Sequence, residues 1–321
     1  MKIFFSVGEP SGDLHGANVI RELRSRRPDL ELVGFGGPRM AAEGCQLLED
    51  LTQYAVMWFL HVLLNIHRFW TFLGRAKAYF REHRPDLVVL IDYPGFNFLI
   101  ARLAKKHGVP VVYYGAPQMW AWAPWRIRKM RRRVDHVLCK LPFEARWYGE
   151  RGCRATYVGH PYFDETQRRK IDTEFVNGLR AGQHPLVTIL PGSRTQEVRA
   201  NLASFLDTAA CVRDQVPHVR FAIAAFNDKL ASVAREPLED LDLPIEIHVS
   251  KTPELIYAAD ACLACSGSVS LELLYHEKPT VILYRVTWAA YIAQRLLRSV
   301  KYITLVNLLA SSNPFPGDLS T

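Results

Sequence analysis

Twice along this chain of 321 residues, short apolar runs alternate with segments of helical periodicity, and that alternation restricts the fold more than any other feature. The first series runs Ile3 to Val7, then Ala17 to Arg24; Leu87 to Ile91, then Phe98 to Lys106; then Val109 to Tyr114 and Val134 to Cys139. After a polar interval from Pro161 to His184 the pattern restarts. Leu186 to Leu190 leads into a helical segment from Glu197 to Val212, and Phe221 to Ala225, Ile245 to Val249, Ala261 to Ala264 and Thr280 to Tyr284 read as further strands. Strands separated by helices make βαβ units and a parallel sheet. The expectation is an α/β protein of two Rossmann-like domains facing a cleft, residues 1–165 and 166–321, joined by the polar interval. With 49% hydrophobic and 22% charged residues, each half can bury its own core.

The net charge of +8 is uneven. Residues 1–160 hold 24 Lys and Arg against 14 Asp and Glu, whereas residues 161–321 hold 16 against 18. The basic half is expected to meet something anionic, and charge alone does not choose among nucleic acid, lipid surface and phosphorylated substrate. The N-terminus carries one basic residue and too short an apolar run for a signal peptide, so a cytosolic protein is expected. Its six cysteines lack a secreted framework and are expected to be reduced thiols. Cys262 and Cys265 have metal-ligand spacing but lie in an apolar strand-like run without a second pair.

Two segments depart from the soluble pattern. Val56 to Leu73 is nearly all apolar, with Trp58, Phe59, Leu60, Phe69, Trp70 and Phe72, yet His61, Asn65, Arg68 and Arg75 form a narrow polar stripe. A membrane span needs about 20 predominantly apolar residues. The polar interruptions therefore argue for a helix lying on a bilayer, or for one buried in the core. The second segment sets Trp120, Trp122 and Trp125 beside Arg126, Arg128, Lys129, Arg131, Arg132 and Arg133. Interfacial tryptophans next to cations suit phosphates at a membrane surface, against the plainer alternative of a solvated basic helix. No helix-turn-helix, RNP or zinc-finger signature supports nucleic acid.

Ligand chemistry in open α/β sheets sits on the loops that follow the strands. After the first strand comes Gly8-Glu9-Pro10-Ser11-Gly12-Asp13, a glycine-rich turn opening a helix, suited to an anion or a sugar hydroxyl. Gly34-Phe35-Gly36-Gly37-Pro38 is weak as a dinucleotide fingerprint, since it does not fall in a recognisable strand-turn-helix order. Asp92 ends the strand Leu87 to Ile91, where a carboxylate can take a proton from a hydroxyl nucleophile or simply cap the next helix. In the second half, Gly192-Ser193-Arg194 and Ser266-Gly267-Ser268 precede helices and make a candidate diphosphate cradle, Arg194 adding charge and Glu272 accepting from ribose hydroxyls; helix capping by Ser193 and Ser266 is the plainer account. Asp240-Leu241-Asp242 imitates a metal-binding pair but lies in a charged stretch that reads as loop.

The strings Gly8-Glu9-Pro10-Ser11-Gly12-Asp13, Gly37-Pro38-Arg39-Met40, Ile91-Asp92-Tyr93-Pro94-Gly95-Phe96-Asn97, Trp120-Ala121-Trp122, Leu141-Pro142-Phe143-Glu144, Val158-Gly159-His160-Pro161, Leu190-Pro191-Gly192-Ser193-Arg194 and Ser266-Gly267-Ser268 with Leu271-Glu272 occur in one order. That order resembles the lipid-A-disaccharide synthases, from residue 8 to Asn307. The resemblance implies a GT-B glycosyltransferase that inverts configuration. It joins UDP-2,3-diacylglucosamine to 2,3-diacylglucosamine 1-phosphate in lipid A biosynthesis, with no metal and no cofactor. By position, Asp92 matches the essential aspartate, the base for the acceptor's 6-hydroxyl, while Glu9 and Ser11 match the loop lining the acceptor side. Arg194, Glu272 and Asn307 match nucleotide-side residues, beside the cradle of Gly192, Ser193, Ser266 and Gly267. Trp58, Phe59, Leu60, Trp120, Trp122 and Arg126 are the expected membrane and acceptor contacts, on the inner face of the inner membrane. The resemblance leaves a homodimer open for the full-length form and implies no nucleic-acid partner.

Departures from the family pattern are visible. Gly95 stands where members often carry a second aspartate, so that acid is not essential to the chemistry here. After Asn307-Leu308-Leu309-Ala310 the usual Gly-Arg-Glu is replaced by Ser311-Ser312-Asn313, and the family's closing helices are expected to be absent. The enzymatic rival is another GT-B protein acting on a UDP-amino sugar, a 2-epimerase or the peptidoglycan transferase. A basic membrane- or nucleic-acid-binding module is the non-enzymatic one, and it needs neither Asp92 nor the two small-residue loops.

Overall fold

The computed structural model describes residues 1–315 apart from 56–65, 183, 239, 240, 242, 287, 289, 290, 293, 294, 296 and 297. Two compact units divide it, Met1–Pro161 and Tyr162–Thr321.

In the first unit seven strands form one parallel sheet: β1 (Lys2–Val7), β2 (Glu31–Gly36), β3 (Gln46–Asp50), β4 (Leu87–Ile91), β5 (Val111–Tyr114), β6 (His136–Cys139) and β7 (Ala155–Tyr157). Their order across the sheet is β3-β2-β1-β4-β5-β6-β7. Helices cover both faces, so the central strands are apolar on both sides. On β1, Ile3, Phe5 and Val7 pack with Ala17 and Ile20 of the helix Pro10–Arg26. Phe4, on the opposite face, meets Phe35 and Phe80 edge to face at 5.6 and 5.0 Å. Such ring pairs add about 0.5–1.5 kcal/mol beyond the area they bury.

The second unit holds a five-stranded parallel sheet of β8 (Leu186–Leu190), β9 (Arg220–Ala225), β10 (Ile245–Val249), β11 (Ala261–Cys265) and β12 (Thr280–Leu283), ordered β10-β9-β8-β11-β12. Val187, Ile189, Phe221 and Ile223 bury one face against Val198, Leu202, Phe205 and Leu206 of the helix Thr195–Gln215. The other face carries the small side chains Ala222, Ala224, Cys262 and Ala264, and packs on Leu255, Ile256, Val176 and Leu179.

Val176 and Leu179 revise one expectation. The interval from Pro161 to His184 is polar on average, yet it contains the helices Pro161–Arg168 and Thr173–Arg180, and the second is a covering layer of the C-terminal unit. Its apolar residues recur at helical spacing and are diluted by charges on the outer face, so the mean composition hid a short amphipathic helix. Strands β2, β3 and β7 were also missed. With β2 in place, Gly34-Phe35-Gly36-Gly37-Pro38 does stand in strand-turn-helix order, because the helix Pro38–Ala42 starts immediately after it. Among the described residues no helix is long and apolar enough to cross a membrane.

Candidate active site

Each sheet has one place where the strand order reverses, and loops leaving adjacent strands there diverge and open a crevice at the carboxyl ends. In the first unit that place lies between β1 and β4. Glu9 follows β1, Asp92 follows β4, and the pairing of Val7 with Ile91 sets the two loops side by side. Asp92 and Tyr93 both adopt positive φ, 47° and 43°. Left-handed backbone at a non-glycine residue costs on the order of 1–3 kcal/mol and persists only where the surroundings enforce it.

Asn97, fully buried, does the enforcing. Its Nδ2 donates to the carbonyl oxygens of Asp92 (2.7 Å), Ile91 (3.1 Å) and Ser6 (3.1 Å), and its Oδ1 accepts from Ser6 Oγ at 2.6 Å. The Tyr113 hydroxyl also donates to the Asp92 carbonyl. One amide thus ties the ends of β1 and β4 together and fixes the backbone from which the Asp92 carboxylate projects. Gly8 belongs to the same construction, since a Cβ there would lie 2.4 Å from the Tyr93 ring.

Asp13, from the same glycine-rich string, has a structural task. Buried, its carboxylate accepts from the backbone N–H groups of Gly37 (2.9 Å), Arg39 (3.0 Å) and Met40 (3.0 Å). It caps the helix Pro38–Ala42 from a distance, satisfying donors that helix starts leave open.

Lys140, at the end of β6, places its ammonium 3.3 Å from Asp92 Oδ1, with both side chains less than one-fifth exposed. Burial and the Asp92 charge push the Glu9 carboxyl up, while Lys140 pulls it down. His15 is depressed to about 4 by burial and by Lys140, against the opposing pull of Asp92. His160 is depressed to about 4 by burial, then by Lys140 and His15. Five titratable side chains therefore share one crevice. Glu9 and Asp92 were expected there; His15, Lys140 and His160 were not, although each stands in or beside a quoted string. Ser11 lies exposed in the first turn of its helix.

The expected membrane and acceptor residues separate. Trp120 does not belong to a surface: it is 1% exposed, donates from Nε1 to Glu144 Oε1 at 2.9 Å and packs edge to face on Phe143. Its indole N–H needs an acceptor once buried, and Glu144, also buried, supplies one. Trp122, Trp125 and Arg126 are exposed. Trp58, Phe59 and Leu60 lie outside the described residues. Farther along that segment, in the helix Ile66–His83, Phe72 is buried and Phe69 packs against Phe72 and Phe96, while Trp70 is 63% exposed. The described portion is amphipathic, with one face in the core.

In the second unit the order reverses between β8 and β11. The loops after these strands, with residues following β9 and β10, line a cavity of about 610 Å³. Gly192, Ser193, Arg194, Ser266, Gly267 and Glu272 all line it, as expected from their place after the strands. Asn307 does not: it lies exposed in the helix Leu305–Ala310.

Serines do not cap these helices. Glu197 closes a capping box on the helix Thr195–Gln215, its Oε2 accepting from the N–H groups of Ser193 (2.9 Å) and Arg194 (3.2 Å) and its Oε1 from Arg194 Nη1 (2.6 Å). Gly192, at φ 134°, makes room for it, since a Cβ would meet Glu197 Cβ at 2.5 Å. Glu272 is buried, and both of its oxygens are engaged, one by Arg169 at 2.8 Å and one by the Tyr162 hydroxyl at 2.8 Å. Tyr162 and Arg169 line the same cavity and carry no signal in any of the quoted strings. Cys262 and Cys265 are buried in β11, where burial pushes the thiols up to about 12 and about 11. Among the described residues no group of three His, Cys, Asp or Glu gathers as metal ligands, and Asp240 and Asp242 lie outside those residues.

Comparison with known proteins places this geometry in context. The family model of lipid-A-disaccharide synthetase matches residues 3–319. The lipid-A-disaccharide synthase of Myxococcus xanthus is 36% identical over 318 residues, covering 98% of this chain and 82% of the relative. That of Pseudomonas putida is 36% identical over 314 residues, covering 97% and 83%. Among solved structures, the UDP-GlcNAc 2-epimerase of Neisseria meningitidis superposes with a TM-score of 0.59 at 14% identity, over 91% of this chain and 85% of that one. MurG of Acinetobacter baumannii does so with 0.55 at 12% identity, over 92% and 82%. These likenesses carry the GT-B type of fold. Both an epimerase and MurG share it, so only the sequence relatives choose among the activities it hosts.

Proposed function

The chain belongs to the lipid-A-disaccharide synthase family, a glycosyltransferase family of lipid A biosynthesis, and on that premise we propose how its residues divide the work. The donor is UDP-2,3-diacylglucosamine and the acceptor 2,3-diacylglucosamine 1-phosphate. Asp92 takes the proton of the acceptor's 6-hydroxyl as that oxygen attacks the donor's anomeric carbon; the bond to UDP breaks on the opposite side and configuration inverts. The observation that carries this reading is the backbone at Asp92, held in left-handed geometry by Asn97 at the switch point of its sheet. Strain kept at a carboxylate beside the switch point of the sheet, and at the residue after it, supports a chemical task there, since capping needs no strain. Glu9 and Ser11 line the acceptor side.

The cavity of the C-terminal unit holds UDP. Its lining fits a nucleoside diphosphate: two small-residue loops at helix starts, the Arg194 guanidinium, and the buried Glu272 as an acceptor for ribose hydroxyls. Diphosphate binding exchanges Glu197 for phosphate oxygens at the amides of Ser193 and Arg194. Helix starts and Arg194 then stabilise the leaving group without a divalent ion. The test is UDP release from UDP-diacylglucosamine, with and without diacylglucosamine 1-phosphate. Release that ignores the acceptor, or epimerisation of the donor, would sink the assignment.

For the location we propose a peripheral enzyme on the inner face of the inner membrane, docked by its N-terminal unit. Exposed Trp122 and Trp125 beside Arg126, Arg128 and Lys129 support this, as does the apolar segment containing Trp58, Phe59 and Leu60. Each nearby cation adds roughly 1 kcal/mol of attraction to an anionic surface. Replacing Trp122 and Trp125 by serine is expected to make co-sedimentation with anionic liposomes more steeply salt-dependent, because the screened electrostatic part is what remains. Unchanged sedimentation of the folded variant across the salt series removes these tryptophans from the docking surface.

A further inference from the structure

Trp120, Leu141 to Glu144 and Val158 to Pro161, each from a string that marks the family, have no place in the division of labour above. In the structure they converge on Lys140. Glu144, 1% exposed, accepts through Oε2 from the backbone N–H groups of Lys140 and Leu141, both at 3.0 Å, while its Oε1 takes the Trp120 indole N–H. The backbone that carries Lys140 is therefore pinned at its own amide. Gly115, at φ 62°, gives the side chain its channel: a Cβ there would lie 2.9 Å from Lys140 Cε and 3.0 Å from Nζ. The channel ends at Asp92 Oδ1.

We propose that Lys140 is the positioning residue for Asp92, an ammonium that pairs with the carboxylate and orients it beside the acceptor, with Glu144, Trp120 and Gly115 fixing the approach of the lysine. The proposal rests on Asp92 being the base. A cation at 3.3 Å, with both partners largely withdrawn from water, favours the charged carboxylate. Other groups face this pair. Glu9 and His15 come from the first helix, His160 from the segment before Pro161, and the Tyr113 hydroxyl and Asn97 amide meet the Asp92 carbonyl. Glu9 is a second acid, itself pushed up by burial and by the Asp92 charge; His15 and His160 are depressed to about 4 and stay neutral at working pH. Among the described residues, Lys140 is thus the cation that acts on both carboxylates in this crevice.

The test compares kcat/KM against pH for the wild type, Lys140→Gln, Lys140→Arg and Asp92→Asn, alongside 13C titration of the Asp92 carboxyl, identified by its loss in Asp92→Asn. In Lys140→Gln the acid limb and the 13C midpoint are expected to move up together by about 1 unit or more, the range for removing an opposite charge at this distance. Lys140→Arg is expected to restore both. The NMR midpoint is read without turnover, so an inactive variant still answers. An unmoved midpoint in Lys140→Gln overturns the proposal, as does a raised KM for the phosphorylated acceptor with the acid limb in place, which makes Lys140 a phosphate ligand. Near-normal transfer by Asp92→Asn, with the midpoint shift intact, instead removes the base assignment and leaves the ion pair standing.

Discussion

The two crevices share a topological origin and differ in nearly everything placed there. Between β1 and β4 the first unit gathers Glu9, His15, Asp92, Lys140 and His160, mostly withdrawn from water, with three of the five pushed from their ordinary protonation range. Between β8 and β11 the second gathers glycines and serines, and its charges are paired off, Arg194 with Glu197 and Arg169 with Glu272. One crevice is arranged to control where protons sit, the other to surround a ligand with small groups and exchangeable ion pairs. A doubly wound sheet supplies the opening; the residues after its strands decide what the opening does.

The sharpest way to break that contrast is to remove the proton acceptor. Asp92→Asn keeps the shape and loses the base, so transfer is expected to fall by about 10²- to 10⁴-fold while UDP affinity is unchanged. Titration calorimetry with UDP, beside steady-state transfer, separates the two. A variant that loses UDP binding along with transfer would show that the two crevices do not divide the work in this way.

How far this division was legible depends on how local each signal is. Asp92, Arg194 and the Ser266 loop are readable because a strand, a small-residue turn and a helix start fall within a few residues of each other. Lys140, His15 and His160 were missed because their relation to Asp92 spans dozens of residues and exists only once β1, β4, β6 and β7 stand in one sheet. Arg169 was missed for a similar reason, since it reaches Glu272 across 103 residues of chain. Trp120 was misread because an aromatic beside cations looks the same in sequence whether its N–H meets lipid headgroups or a buried Glu144. The edge strands β3 and β7 are short and only partly buried, so their apolar pattern is faint.

A second expected effect concerns acid stability. His15 and His160 titrate near 4 in the folded state and near 6.5 when unfolded, so between these values the unfolded chain binds more protons. Their contribution is complete above about 6.5 and is lost as pH falls toward 4. For His15 alone the loss is on the order of 3 kcal/mol. Glu9 works the other way, because its raised carboxyl makes the folded state the better proton binder just above 4.5. One acid offsets two histidines only in part. In the C-terminal unit the one histidine pushed down among the described residues is His276. Six of the seven tryptophans precede residue 161, so indole fluorescence follows the first unit. Urea midpoints read by fluorescence should drop from pH 7.5 to pH 5, and less so in His15→Asn. Equal midpoints at the two pH values would remove the claim that this crevice stores uncharged histidines.

The smallest effect is expected at Arg194. Its side chain is 78% exposed and already paired with Glu197 at 2.6 Å, so a diphosphate gains one ion pair there while another is given up. An exposed pair is worth roughly 0–1 kcal/mol, and the difference between two such pairs is at most of that size. What remains favourable is charge: diphosphate carries more of it than a carboxylate and reaches the amides of Ser193 and Arg194 at the same time. Arg194→Ala is therefore expected to weaken UDP by about tenfold or less, a change of up to about 1.4 kcal/mol, with transfer slowed to a similar extent. Glu197→Gln sharpens the reading, since removing the competing carboxylate charge should tighten UDP if the amides are exchanged for phosphate and should have no such effect if they are not. EDTA should leave both affinity and transfer where they were. Recovery of an EDTA-treated enzyme on adding magnesium would return the leaving group to a metal ion and make Asp240 and Asp242 the first residues to replace.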